Sequence, residues 1–551
     1  MSSAAATTAP GARPRAGAGT LTGLRLTAGI AARAGRWFWV VWVLALAGTV
    51  AATAGAYQTL FPPGTPPAVI NALGENVTLR AMLGPPYDLL HVGSFTMFRV
   101  GTFVATLTAV MAALGVIRAT RAEEEDGRSE LLRSGAIGRH APLAGAIAVA
   151  LAACLLLGVL IAVAMRRATP ELAGAAVMGL GIALTGGVFA GVGAVAAQLS
   201  ESARASRGIA MAAVGAAYLL RAYADGRLDD SAVTNLHWLS PVQWAALARP
   251  YADERWWVLL LPAALTGILI AAAFAMENRR DLGAGLRPSR PGPANASASL
   301  SSAGGLAWRL HRGSIIGWGI ALAVFGLVSA SLSNVFGDML EGSESLAERF
   351  RRMGGGAQDL YEAFYVAMLA IVVALVALFA VQLLGRLRRE EVLGHAEVML
   401  GTATSRVRYA LSHLIPALLV PTVLFVLCAA LFALPRVADD GLGPMAQMAG
   451  AALALCPGVW LIVGFAMLLH GWAPRLLVLP WVVIGWTVFV QWIGAFLDLP
   501  KALLDATPFA PLPKLPVDAM AWTPVLVESA LALALILFGL GGYARRDIPT
   551  T

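Results

Sequence analysis

Two short charged runs interrupt an otherwise apolar chain. Arg121, Glu123, Glu124, Gly127, Glu130, Ala136 and Arg139 recur 267 residues later as Arg388, Glu390, Glu391, Gly394, Glu397, Ala403 and Arg406. Carboxylates and arginines at this spacing form charge-assisted hydrogen bonds rather than catalytic or metal-binding groups. On a helix, Glu123, Gly127 and Glu130 fall at i, i+4 and i+7, as do Glu390, Gly394 and Glu397, so each set makes one stripe. The glycine would admit another backbone, and the flanking carboxylates would pair with arginines or amides of that partner: a docking surface. The plainer alternative is a solvated helix laced by local pairs such as Glu124 with Arg128. A solvated face gives no reason for the recurrence, so docking is the preferred reading.

Few other residues could do chemistry. Glu528 is the one carboxylate well inside a predicted span, about six residues from its outer end, which makes it a candidate for the substrate pathway. It could instead reach outer water or cap a neighbouring helix. Arg221, near the outer end of another span, reads as a residue snorkelling to the interface or as a partner for Glu528. Trp481, Trp486, Phe489, Gln491 and Trp492 form either an aromatic wall for an apolar compound or ordinary packing and interface anchors. Pro416, Pro421, Pro457 and Pro480 are expected to kink their helices, and Gly187 with Gly191 to make a close helix contact. Cys154, Cys428 and Cys456 lie within apolar runs, and the histidines at 91, 140, 237, 311, 395, 413 and 470 read as dispersed. Neither set has the spacing of a metal or redox motif, so no metal is expected.

The elements that must carry these residues follow from composition. Of 551 residues, 58% are hydrophobic and 13% charged, the balance of a polytopic membrane protein. Apolar segments fall near 37–56, 96–117, 141–165, 171–197, 206–224 and 256–276, and again near 315–334, 363–384, 409–433, 445–470, 474–496 and 522–543. Residues 1–35 read as a cytoplasmic tail ending in an amphipathic surface helix from Leu21 to Arg36. A cleavable signal would carry its apolar core nearer the start. Residues 36–276 form a first six-helix unit, 277–307 a flexible Pro/Ser/Ala linker, and 308–551 a second unit that opens with its own amphipathic helix, Trp308 to Gly317. With the N-terminus inside, 26 of the 40 basic residues fall on the cytoplasmic face and 14 on the outer face, so both termini are expected in the cytoplasm of a bacterial inner membrane. The same charge pattern accounts for the net +8 without a nucleic-acid partner.

Further matches extend the repeat. Ser240-Pro241 pairs with Thr507-Pro508, and Arg279-Arg280-Asp281-Leu282 with Arg545-Arg546-Asp547-Ile548, each just outside the last helix of its half. An even number of spans gives both copies the same orientation. The chain thus reads as all-α, with twelve transmembrane helices in two six-helix repeats. Its two lysines, Lys501 and Lys514, both follow proline, whereas a phosphate-binding loop needs lysine after glycine.

With its duplicated E-E-x-x-G-x-x-E loop, the chain resembles the permease subunits of type-2 ABC exporters, and among them the large actinobacterial permeases described as polyketide antibiotic exporters. The resemblance implies that residues 121–139 and 388–406 are coupling helices seated in a separate cytoplasmic ATPase, two copies per permease. ATP and magnesium would be bound there, with no cofactor on this chain. It also implies that the stretches 234–255 and 499–521 dip back into the membrane, and that the cargo is a hydrophobic, drug-like compound. Val392 and Leu393 stand where the first copy has Glu125 and Asp126, so the two contacts need not be equivalent. The alternative is a proton-coupled drug transporter of the major facilitator kind, which would carry a Gly-Asp-Arg type loop and several embedded carboxylates. A membrane-bound transferase would need His, Asp or Glu clustered at one face.

Overall fold

The computed structural model describes residues 19–75, 77–128, 135, 137–227, 233, 235–281, 283–286, 294–341, 357–493 and 501–547. The chain divides into two compact units, Met1–Pro291 and Gly292–Thr551, each with its own apolar core. Both are built of helices because a backbone in lipid must satisfy its hydrogen bonds within the segment.

In the first unit the long helices are α1 (Leu24–Leu60), α2 (Thr102–Ala119), α4 (Ala141–Ala168), α5 (Leu172–Leu199), α6 (Ala203–Asp225) and α7 (Leu260–Glu277), with a short α3 (Arg121–Glu125) directly after α2. In the second they are α8 (Ala303–Glu341), α9 (Ala357–Val392), α11 (Arg406–Phe432), α12 (Gly443–Trp472), α13 (Leu479–Ile493) and α14 (Trp522–Arg545), with a short α10 (His395–Leu400) after α9. Among the described residues, eleven helices are long and apolar enough to cross a membrane. The protein is an all-α polytopic membrane protein. The long helix outside that set is α6, whose 23 residues carry Arg204, Arg207, Arg221 and Asp225.

Four sequence expectations are corrected. The surface helix at 21–36 is not separate: α1 runs unbroken for 37 residues, a rise of about 55 Å against a hydrocarbon core of about 30 Å. The helix expected over 308–317 is likewise continuous with α8, which has 39 residues. Only part of 277–307 is free linker, because the Leu286 amide donates to the Gln198 carbonyl at 3.0 Å and Arg280 is buried. Pro480 occupies the first turn of α13, where its missing N–H costs nothing, whereas Pro416, Pro421 and Pro457 lie inside their helices.

The packing of α12 on α14 depends on backbone approach. A Cβ at Gly471 would lie 2.2 Å from the Gly539 carbonyl oxygen, and one at Gly539 would lie 2.6 Å from that of Met467. Gly187 and Gly191 make the expected close contact, against Thr266 and Leu269 of α7. Gly539→Leu should therefore destabilise the second unit by about 1–3 kcal/mol through overpacking. Gly541→Ala, where nothing lies within 4 Å, should change stability by less than about 0.5 kcal/mol in the same thermal unfolding measurement.

Candidate functional site

The two matched loops close on the same ionic arrangement. In the first, the α3 residue Glu124 lies between two guanidinium groups. Arg121 Nη1 donates to its Oε2 at 2.7 Å, and Arg280, from the chain after α7, donates from Nη2 to Oε1 at 2.8 Å and from Nη1 to Oε2 at 3.1 Å. Arg121 also donates from Nε to the Ala197 carbonyl at 2.9 Å and from Nη2 to that of Ala284 at 3.2 Å. Arg280 reaches Gln198 Oε1 at 2.5 Å through Nε. One carboxylate thus ties the end of α2 to the ends of α5 and α7.

In the second unit Glu391 takes the same place. Its Oε2 accepts from Arg388 Nη1 at 2.9 Å, and its Oε1 accepts from Arg546 Nη2 at 2.7 Å and faces His470 Nε2 at 3.2 Å. Its side chain is 0% exposed. The equivalence extends to the last arginine of the motif. Arg139 donates to the Glu277 and Arg280 carbonyls at 2.7 and 3.0 Å, and Arg406 to the Ala544 and Arg546 carbonyls at 3.3 and 2.7 Å. His470 of α12 stands where α5 supplies Gln198.

This geometry corrects the single-stripe expectation. Gly127 and Gly394 adopt φ of +71° and +74°, a left-handed conformation that ends the helix in both loops. Their amides donate to the Glu124 and Glu391 carbonyls at 3.1 and 3.0 Å. The glycine stops a helix rather than admitting a partner's backbone, so Glu390 and Glu397 belong to different helices, α9 and α10. Glu130 lies outside the described residues. Arg128 pairs with Glu123 at 3.4 Å and with Asp126, not with Glu124. Glu390 is buried, at 3.2 Å from Arg386 Nε and 2.9 Å from His395 Nδ1.

What remains outward differs between the loops. The first presents Glu123, Glu125, Asp126 and Arg128; the second presents Val392, Leu393, His395 and Val398, with Val398 74% exposed. Glu397 is half-buried, and its Oε1 has no hydrogen-bond partner among the described residues. Arg280, Arg546, Gln198 and His470 were missed by motif reading because they lie far along the chain. The matched Arg280 and Arg546 pairs were their available signal.

The histidines are not dispersed. His311 Nε2 and His413 Nδ1 lie 3.1 Å apart in the second unit, and His395 and His470 each meet a motif glutamate. No group of three His, Cys, Asp or Glu that could hold a metal occurs among the described residues.

Arg221 does not snorkel. It is fully buried and pairs with Asp225 at 3.2 Å, donates to the Met82 carbonyl at 2.6 Å and packs over Tyr218. Asp225 in turn accepts from Gln243, while Ser240 donates to the Ala217 carbonyl at 2.7 Å, so the 234–255 stretch is bound to the end of α6. His237 there is held below the usual imidazole range, first by burial and then by nearby Arg249. Trp481 and Gln491 are exposed on α13, and Trp486 stacks on Phe489 at 5.6 Å between centroids. Glu528 is 7% exposed, and its Oε2 is buried with no partner among the described residues.

The fold is that of a polytopic membrane protein with one ionic clamp in each of its two units. Residues 300–544 match the family described as multidrug efflux system permease Rv1217c, C-terminal domain. The chain is 36% identical, over 92% of its own length and 92% of the relative's, to the multidrug efflux system permease protein Rv1217c of Mycobacterium tuberculosis (strain ATCC 25618 / H37Rv). It belongs to this family of exporter permeases, and the major facilitator alternative is not favoured.

Removing one member of a buried ionic cluster leaves the others uncompensated, at a cost of about 3–5 kcal/mol. Glu391→Gln and Glu124→Gln should each lower stability by that order in thermal unfolding of the purified protein. The half-exposed Glu123→Gln should change it by less than about 0.5 kcal/mol.

Proposed function

We propose that this chain is the membrane-spanning subunit of an ATP-driven exporter of hydrophobic compounds, powered by a separate ATPase that seats one copy on each matched loop. The observation that carries the reading is the repetition: two loops, each closed by an arginine–glutamate–arginine clamp around a largely buried carboxylate, each with exposed residues beyond it. ATP and magnesium belong to the partner, which supplies hydrolysis. Displacement of α3 by the partner is passed through Glu124 and Arg280 to the ends of α5 and α7, and displacement of the α9–α10 corner through Glu391 to α12 and α14. A charged clamp is stiff enough for this, because letting it open would strand a buried charge.

On this reading the chain crosses the membrane twelve times, with both termini in the cytoplasm. The twelfth span is α6: its 23 residues rise about 35 Å, enough to cross a core of about 30 Å. Its Arg221 and Asp225 neutralise one another within the protein. The unequal loop surfaces imply that the two ATPase contacts are chemically distinct, one acidic and one apolar.

Co-purification with a co-expressed ABC ATPase from the same genome tests the reading. The wild-type chain should retain it, and Leu393→Glu with Val398→Glu, both on exposed positions, should reduce retention at least tenfold without changing the unfolding temperature. Unchanged retention by the folded double variant, or no association of the wild type, would contradict the assignment. Glu130→Arg with Glu397→Arg should abolish retention as well.

A further inference from the structure

The second unit contains an open cavity of about 540 Å³ between the starts of α12 and α14 and the chain that precedes α14. Its walls include Gln447 and Leu453 of α12, Pro516 and Met520 of the preceding segment, and Trp522 and Val525 of α14. That volume lies within the range of drug-sized sites. The wall is largely apolar, but its polar features point one way. Pro457 lies inside α12 and has no N–H, so the i+4 hydrogen bond that would satisfy the Leu453 carbonyl cannot form. Gln447 adds an amide oxygen. On α14, Trp522, Val525 and Glu528 follow at three-residue spacing and share one face, which places Glu528 about 4.5 Å along the helix beyond Val525.

Glu528 is more than nine-tenths buried, and one of its carboxylate oxygens has no partner among the described residues. The clamp carboxylates Glu124 and Glu391 are each held by two arginines, whereas Glu528 makes no ion pair among the described residues. An intramembrane carboxylate left in this state is stabilised by a cation brought to it. The wall offers acceptors for such a cation, a large apolar surface for its substituents, and the Trp522 indole for a cation–π contact. Nothing in it offers a cationic side chain to an anion.

We propose that this cavity is a binding site for lipophilic monocations, protonated aromatic amines or phosphonium ions of drug size, with Glu528, one helical turn beyond the wall residue Val525, as the counter-charge. The assignment of such cations as cargo rests on the exporter reading; the site itself does not. A hydrophobic cation entering here exchanges bulk hydration for the carboxylate and the aromatic face, whereas a neutral compound of the same shape gains only the apolar contact.

The test is equilibrium binding of radiolabelled tetraphenylphosphonium to the full chain in lipid nanodiscs without ATPase, corrected for empty nanodiscs. The wild type should bind saturably at one site. Glu528→Gln should weaken binding at least tenfold, while Glu528→Asp should stay within about threefold, because the charge is kept. Gly450→Trp places a large side chain in the cavity from a position with nothing within 4 Å and should abolish binding even if the glutamine variant does not fold. Neutral triphenylphosphine oxide should bind the wild type and the glutamine variant alike. Absence of saturable cation binding to the wild type, or equal binding by the folded glutamine variant, would overturn the proposal. Cation binding that depends on Glu528 in a chain that fails to retain the ATPase would sink the exporter reading and leave the site standing.

Discussion

A glutamate held between two arginines, once in each unit, is the interaction on which the rest of the arrangement depends. A buried carboxylate is unfavourable by several kcal/mol unless its charge is met, and in lipid the alternatives are fewer than in water. Glu124 and Glu391 meet that demand with arginines from their own loop and from the end of the last helix, about 155 residues away in sequence. Because the partners come from different helices, the ionic requirement also fixes where those helices end relative to one another. The loop geometry follows: the glycine turns after the glutamate, the helix stops, and the residues beyond it face outward.

The two copies keep the clamp and change its surroundings. Gln198 in the first unit becomes His470 in the second, and the acidic outer surface becomes an apolar one of Val392, Leu393 and Val398. An element that must transmit force conserves its internal bonding, whereas the surface that meets a partner is free to diverge with that partner. That pattern suits a pair of docking points with unequal chemistry better than a pair of solvated loops.

Much of the architecture was legible in the sequence because lipid imposes a simple demand, long apolar helices, and because a duplication displays itself by register. The Arg121 and Arg388 motifs mark the two loops that the glutamates Glu124 and Glu391 close. The role of each residue within them was not legible. Helical periodicity placed Glu123, Gly127 and Glu130 on one stripe, but a glycine with positive φ ends the helix, and backbone conformation is not encoded in spacing. The burial of Glu124 could not be foreseen without knowing that Arg280 returns to it. Arg221 read as an interfacial residue because its partner Asp225 lay just beyond the expected span end. The surface helices merge with α1 and α8 because no proline separates amphipathic from apolar turns, and the helix runs on through Gly35 and through Gly313 and Ser314.

The most direct test of the central claim is cross-linking in native membranes from the two outward loop surfaces to the ATPase. The native cysteines Cys154, Cys428 and Cys456 are all buried, so Asp126→Cys and Val398→Cys introduce the accessible thiols. A short thiol-to-amine cross-linker should join the ATPase to the chain from either position, and the double variant should yield a species of one chain with two ATPases. A chain that labels fully at both cysteines in the presence of the ATPase yet forms no adduct from either would contradict the account.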